Sequence, residues 1–215
     1  MGAAMKIAIL GAKGFLGSYL VERLSDKHTV IPVTRETLDL SDYEQVRQWL
    51  IKSGPNAVVN CAISGGGRYV NDINYSDVQR DLNIFLNFYN NPTMCRYINI
   101  GSGAEFDRRT NINNADEFDI IKAKPLESYG FTKNTIARMI LKRQDFFTLR
   151  LFGCFDSNEP SIRLFKKFKQ QGKITIEDKY FDYISADDFA TIVEHYCTST
   201  NLFKDLNCVY ENKLC

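Results

Sequence analysis

Apolar positions along this chain of 215 residues follow two alternating rhythms. Lys6 to Leu10 (KIAIL) is a β-branched and aliphatic run ending at a glycine, and after it Phe15, Leu16, Tyr19, Leu20 and Leu24 recur at spacings of three and four. The run predicts a strand, the spacing a helix with one buried face, and the glycines between them a tight loop. Thr29 to Thr34 and Asn56 to Asn60 predict two more strands. They flank a helix over Tyr43 to Lys52 that carries Val46, Trp49 and Leu50 on one face. Tyr75 to Tyr89 then predicts a helix, Tyr97 to Ile100 a strand, Glu127 to Lys142 a long helix and Phe147 to Phe152 a strand. Hydrophobicity in these strands is continuous, which requires cover on both faces. That is how a parallel sheet between two helix layers reads. The expected class is α/β, a doubly wound parallel sheet.

After Gly153 the pattern loosens. Ser161 to Gln171 predicts a basic amphipathic helix, Lys173 to Glu177 and Tyr180 to Ile184 short strands, and Asp187 to Tyr196 a helix with Phe189, Ile192 and Val193 as its apolar side. The division expected is a core over residues 1–153 and a small C-terminal lobe over 154–215, interleaved with the last sheet elements. Gly101 to Pro125 is polar, contains glycine and is too long for a bare connector, so it is a candidate active-site loop.

Composition narrows the class further. A hydrophobic share of 44% with 25% charged residues is that of a globular chain and sets aside disorder and membrane spanning. A net charge of +1 supplies no field for nucleic acid or an anionic membrane, so anion binding must be local to a pocket. The six cysteines show no metal-type spacing and there are only two histidines, so no metal site is expected. Thiols within apolar stretches, as at Cys61, fit a reducing compartment. With no signal peptide or membrane helix in view, a cytoplasmic protein is expected.

Candidate chemistry clusters where predicted strands end. Gly11-Ala12-Lys13-Gly14-Phe15-Leu16-Gly17 stands where the first strand turns into the first helix, the place where a dinucleotide pyrophosphate lies against helix amides. Thr34-Arg35 ends the second strand, where an acid would bind the ribose hydroxyls of NAD. A cation there suits the 2′-phosphate of NADP, and Lys13 adds a second charge, though either side chain also reads as solvated. Tyr129 and Lys133 stand at i and i+4 on one helix face, and an ammonium beside a phenol favours the ionised phenol. Ser102 follows the fourth predicted strand, and its hydroxyl can bond a reacting oxygen. Gly101 and Gly103 beside it also suit a plain turn.

The spacing Gly-x-x-Gly-x-x-Gly and Tyr129-Gly130-Phe131-Thr132-Lys133 together resemble the short-chain dehydrogenase/reductase superfamily, in its extended branch, the NAD-dependent epimerase/dehydratase family. The resemblance covers roughly residues 6 to 200. Arg35 to Asn60 is most similar to the GDP-fucose synthase and dTDP-4-dehydrorhamnose reductase group. It implies a Rossmann fold with a small C-terminal substrate lobe, a Ser102, Tyr129, Lys133 triad, and NADP as cofactor with NAD as the alternative. Gly11, Lys13, Gly14, Phe15, Leu16, Gly17, Arg35, Asp39, Leu40, Cys61, Ala62 and Lys133 would line the cofactor site. The segment around Asp39 also reads as an ordinary helix N-cap region, in which Ser41 or Asp42 caps the helix that follows.

The substrate implied is a small molecule, a nucleotide sugar reduced at a 4-keto group. Helices around the Tyr-Lys pair often join subunits in this superfamily, which makes a homodimer the implied assembly. The alternatives are a 4-epimerase or 4,6-dehydratase with internally recycled NAD, or a non-catalytic NAD(P)-binding sensor or scaffold. Departures from the pattern are the missing Asn in Gly153-Cys154-Phe155, Lys179-Tyr180 where an Arg is usual, and the lack of a Cys and His pair for epimerisation. Members of this branch usually continue for further residues that build the substrate lobe, so the lobe here is expected to be small, either because the sequence stops early at Tyr210 to Cys215 or because the pocket is reduced.

Overall fold

The computed structural model describes residues 4–63, 75–92, 95–107, 109, 112, 114–161, 163–173 and 182–211. In chain order its first elements are β1 (Lys6–Leu10), α1 (Phe15–Ser25), β2 (Thr29–Val33), α2 (Tyr43–Ser53), β3 (Ala57–Asn60), α3 (Tyr75–Tyr89) and β4 (Arg96–Ser102). Next come α4 (Ser128–Ile140), β5 (Phe146–Leu151), β6 (Cys154–Phe155), α5 (Leu164–Gln171), β7 (Ile184–Ser185), α6 (Ala186–Thr198) and β8 (Asp205–Cys208). Six strands form one sheet in the order β2-β1-β3-β4-β5-β8, every neighbouring pair parallel. The doubly wound α/β class expected from the sequence is the class observed.

Alternation along β1 explains why the strands read as unbroken apolar runs. Ile7 and Ile9 pack on one face with Leu20 and Leu24 of α1 and Phe189 and Val193 of α6. Ala8 and Leu10 pack on the other with Val46 and Leu50 of α2, Phe85 of α3, and Ile136 and Ile140 of α4. Pro32 lies in β2, at the sheet edge, where a residue without an N–H is tolerated. Asp42 caps α2 by accepting from the Gln45 amide, and Gly54 ends that helix in the left-handed region at φ 51°. Among the described residues, no helix is long and apolar enough to cross a membrane.

Some expectations are revised. β4 runs on to Ser102, two residues past the predicted end, so Ser102 is strand-borne. α5 starts at Leu164 and not Ser161, because Arg163 is extended and the carboxylate of Glu159 takes the Lys166 amide at 2.7 Å. β6 and β7 pair as a separate two-stranded unit, while the expected strand over Lys173 to Glu177, all but its first residue, and the start of that over Tyr180 to Ile184 lie outside the described residues. β8 is absent from the sequence reading. Its residues Asp205 and Asn207 turn polar groups toward a buried arginine, which removes the apolar pattern that announces a strand. The Gly101 to Pro125 stretch holds two 3-10 turns, Gly103–Phe106 and Glu117–Ile121, each closed by a capping box. Phe106, Ile120 and Ala137 give it a small core of its own.

Candidate active site

The strand order reverses between β1 and β3, which opens a crevice at their carboxyl ends where α/β sheets take ligands. Gly11 begins the turn there at φ 74°, a left-handed conformation that glycine adopts without strain. A β-carbon on Gly11 would lie 2.8 Å from the Ala62 amide nitrogen, so the ends of β1 and β3 meet backbone to backbone. A β-carbon on Gly17 would fall 2.2 Å from the Gly11 carbonyl oxygen, so α1 starts in direct contact with the loop. The first helical bond runs from the Ser18 amide to Gly14 at 2.8 Å, and a helix leaves the amides ahead of that bond unpaired and facing outward. Bare backbone, a left-handed turn and outward amides make a cradle that a pyrophosphate fits.

Around it, Phe15 and Leu16 are half-buried against the core. The Arg163 guanidinium lies 4.9 Å over the Phe15 ring. Arg35 is exposed. Lys13 is exposed too, and its ammonium is bonded to Glu36 at 2.5 Å, with the Thr34 hydroxyl on the same carboxylate at 3.0 Å. The bond from Lys13 holds the Glu36 carboxyl below the usual range. Glu36 is an acid at the end of β2 that the sequence reading passed over, one residue beyond Arg35. Asp39 accepts from both the amide and hydroxyl of Ser41, and these bonds hold its carboxyl low. Of the two caps expected from the sequence, Ser41 and Asp42, it is Asp42 that caps the helix. Leu40 is half-buried and its carbonyl accepts from Asn87 at 2.8 Å.

On the β3 side of the crevice, against the glycine turn, the Cys61 amide donates to the Leu10 carbonyl at 3.0 Å and the Ala62 amide to the Asn60 side chain at 3.0 Å. Burial pushes the Cys61 thiol up to about 12, against the pull of the Lys133 charge. That leaves Cys61 a small packing thiol.

Ser102, Tyr129 and Lys133 are joined through backbone. The Lys133 ammonium, on α4, donates to the Ile100 carbonyl of β4 at 2.7 Å, and the side chain is buried. A β-carbon on Gly130, the residue after Tyr129, would lie 2.6 Å from the Ala104 carbonyl oxygen, so the first turn of α4 rests on the 3-10 turn that begins after Ser102. The Asn134 amide bridges the carbonyls of Glu105 and Ile120, both at 2.9 Å, and fixes both 3-10 turns to the same helix. Ser102 and Tyr129 are half-buried. The Ser102 oxygen accepts from the Ala104 amide at 3.2 Å, which leaves the hydroxyl proton available for donation.

The sequence reading did not single out what lies beneath Ser102. Glu105 accepts from the Ser102 amide at 2.8 Å with one oxygen and from Arg150 Nε at 2.6 Å with the other. Arg150 also donates to Asn207 and Asp205, both at 2.7 Å. Burial pushes the Glu105 carboxyl up, opposed by Arg150 and by the Ser102 amide. Burial alone would lower Arg150, but its two carboxylate neighbours outweigh it and hold the guanidinium up. A lone arginine in the strand FTLRLF is the one signal that a buried acid had to exist.

A family model for the NAD dependent epimerase/dehydratase family matches residues 7–205, and the chain belongs to that family. A GDP-L-fucose synthase of Sinorhizobium fredii is 38% identical over 68 residues, a segment covering 31% of this chain and 22% of that protein. A dTDP-4-dehydrorhamnose reductase from Bacillus anthracis, solved in complex with NADP, superposes with a TM-score of 0.79 at 16% identity over 99% of this chain and 77% of its own. MlghC, a GDP-mannoheptose C4 reductase from Campylobacter jejuni with NADP bound, gives 0.70 at 23% identity over 91% and 73%. The Bordetella bronchiseptica enzyme WbmG in complex with NAD gives 0.74 at 20% identity over 97% and 73%. At such identities the superpositions establish the fold.

Proposed function

We propose that this chain is an NAD(P)-dependent oxidoreductase that reduces the 4-keto group of a nucleotide sugar, with Ser102, Tyr129 and Lys133 as its triad. The observation that carries the reading is the joint between β4 and α4. Lys133 on Ile100 and Gly130 on Ala104 hold the start of α4 against the end of β4 and the turn after Ser102, which supports a common site for the three residues. The family match supports it, as do the activities of the GDP-mannoheptose C4 reductase and dTDP-4-dehydrorhamnose reductase that share the fold.

The glycine loop and the α1 amides would hold the dinucleotide by its pyrophosphate. When bound, that cofactor supplies the hydride. Tyr129 gives a proton to the carbonyl oxygen as that oxygen gains charge, and the Ser102 hydroxyl donates to the same oxygen. Lys133, one helical turn from Tyr129, offsets the negative charge left on the phenol. β6, β7 and α5 would contribute to the substrate side of the site. NADP is the first choice on Arg35. Glu36, an acid at the end of β2, favours NAD as the second.

Titration of the purified protein with NADPH and NADH, followed by turnover on a panel of 4-keto nucleotide sugars, tests the reading. Tight binding of one cofactor, reduction of at least one ketone and loss of that reduction in Tyr129→Phe are expected. Tight binding with no turnover on any ketone points to a sensor or scaffold and overturns the enzyme reading.

A further inference from the structure

Among the described residues, Arg150 heads the largest side chains that are wholly buried, and it reaches three partners, two on the neighbouring strand β8 and one in a turn. Glu105 is equally buried, and its carboxylate spans from Arg150 to the amide of Ser102. Ion pairs at such depth are weak sources of net stability, because desolvation offsets most of the attraction. Their geometry is another matter. The guanidinium is planar and its donors are fixed in direction, so a carboxylate and an amide oxygen on β8 set where it points. The guanidinium in turn sets the Glu105 carboxylate, whose second oxygen holds the Ser102 amide.

Gly101 shows how closely the carboxylate lies under the strand. A β-carbon there would come within 2.6 Å of the Glu105 oxygen that bonds Ser102. The same capping box places the Ser102 hydroxyl, since the hydroxyl oxygen receives the amide of the turn that Glu105 closes.

We infer that Glu105 and Arg150 are positioning residues, a buried clamp running from β8 through β5 to the Ser102 amide that fixes the direction in which the Ser102 hydroxyl donates. The proposal rests on the reading of Ser102 as the residue that bonds the substrate carbonyl. The two residues touch neither substrate nor cofactor. They act through Ser102 alone, so their effect must vanish when the hydroxyl is removed.

A double-mutant cycle in the full chain tests this. In Glu105→Gln one end of the side chain becomes an amide NH2 facing a donor, so the clamp opens while the shape is kept. Expected are an NADPH Kd within about twofold of the parent and a kcat on the reducible ketone lower by roughly 10- to 100-fold, the scale of an ångström of misplacement. In a Ser102→Ala background the same change should cost less than about twofold, since residues acting as a unit are not additive. An equal loss in both backgrounds overturns the proposal.

Should Glu105→Gln fail to fold, Glu105→Val leaves Arg150 paired with Asp205 and serves in the same cycle. Hydrogen exchange at the Ser102 amide gives a readout without turnover. It should quicken at least about tenfold in either variant relative to the amides of β1, and unchanged protection also overturns the clamp. If the parent reduces no ketone while the amide responds as expected, the functional reading has failed and the clamp stands.

Discussion

The ammonium of Lys133 sits 2.7 Å from the carbonyl oxygen of Ile100, across the joint between the helix that carries Tyr129 and the strand that carries Ser102. Replacing Lys133 with Met removes the donor and leaves that carbonyl buried without it, at a cost of about 1–3 kcal/mol, partly offset by no longer burying a charge. A small fall in the urea midpoint is expected, with turnover lost by at least about 100-fold. Retained turnover in a folded Lys133→Met protein would remove Lys133 from the triad.

Gly130 tests the same joint by sterics. Alanine is the better helix former by about 1 kcal/mol, yet its β-carbon would meet the Ala104 oxygen at 2.6 Å, and backbone does not give way cheaply. Overpacking costs about 1–3 kcal/mol, so the clash outweighs propensity. Gly130→Ala should be less stable in urea and slower in turnover, with cofactor affinity kept. A more stable variant would show that the joint is loose.

Gly17 makes the matching test at the cofactor cradle. With a β-carbon 2.2 Å from the Gly11 oxygen, helix and loop must part. If the whole strain of about 1–3 kcal/mol falls on binding, Gly17→Ala weakens NADPH by about 5- to 150-fold. Fluorescence titration measures it, and unchanged affinity would place the pyrophosphate elsewhere.

Thiol reactivity follows from burial. Cys61, Cys154, Cys197 and Cys208 are all pushed up to about 12 by desolvation. At about pH 8 only around one part in ten thousand of each is thiolate, the reactive form. Titration with an aromatic disulfide should find no more than two of the six cysteines quick in the native protein and all six in denaturant. Rapid reaction of Cys61 would mean that the crevice opens in solution.

At the start of α6, the Asp188 carboxyl is held low by the Tyr210 hydroxyl and then by that of Ser185. A carboxyl lower in the folded state than in the unfolded one adds stability that is full above about pH 4 and drains away as pH falls through its folded value. The stability gap between the parent and Asp188→Asn should therefore be open at neutral pH and close below about pH 4. Urea midpoints at the two ends check this, and a gap that ignores pH would show that the carboxylate charge is irrelevant there.

The elements legible in the sequence were those whose apolar residues repeat: β1 with α1, α3, and the long α4. The glycine cradle was legible as well, because glycine is the residue that permits a left-handed Gly11 and a helix start on bare backbone. β8 was not, since Asp205 and Asn207 use a strand's inward positions for hydrogen bonds to Arg150. Glu36 was passed over because charge alone does not say which neighbour a surface acid meets. In the tertiary structure it meets Lys13, which by sequence reads either as a phosphate partner or as a solvated charge.

The sequence by itself determined the doubly wound class and the candidates Ser102, Tyr129 and Lys133, because periodicity and four-residue spacing are local properties of the chain. Only the tertiary structure decided how those candidates are held. The Ile100 carbonyl under Lys133, the Ala104 carbonyl against Gly130 and the Arg150 to Glu105 pair under Ser102 are contacts between segments 26 to 45 residues apart, and no local pattern encodes a partner at that range.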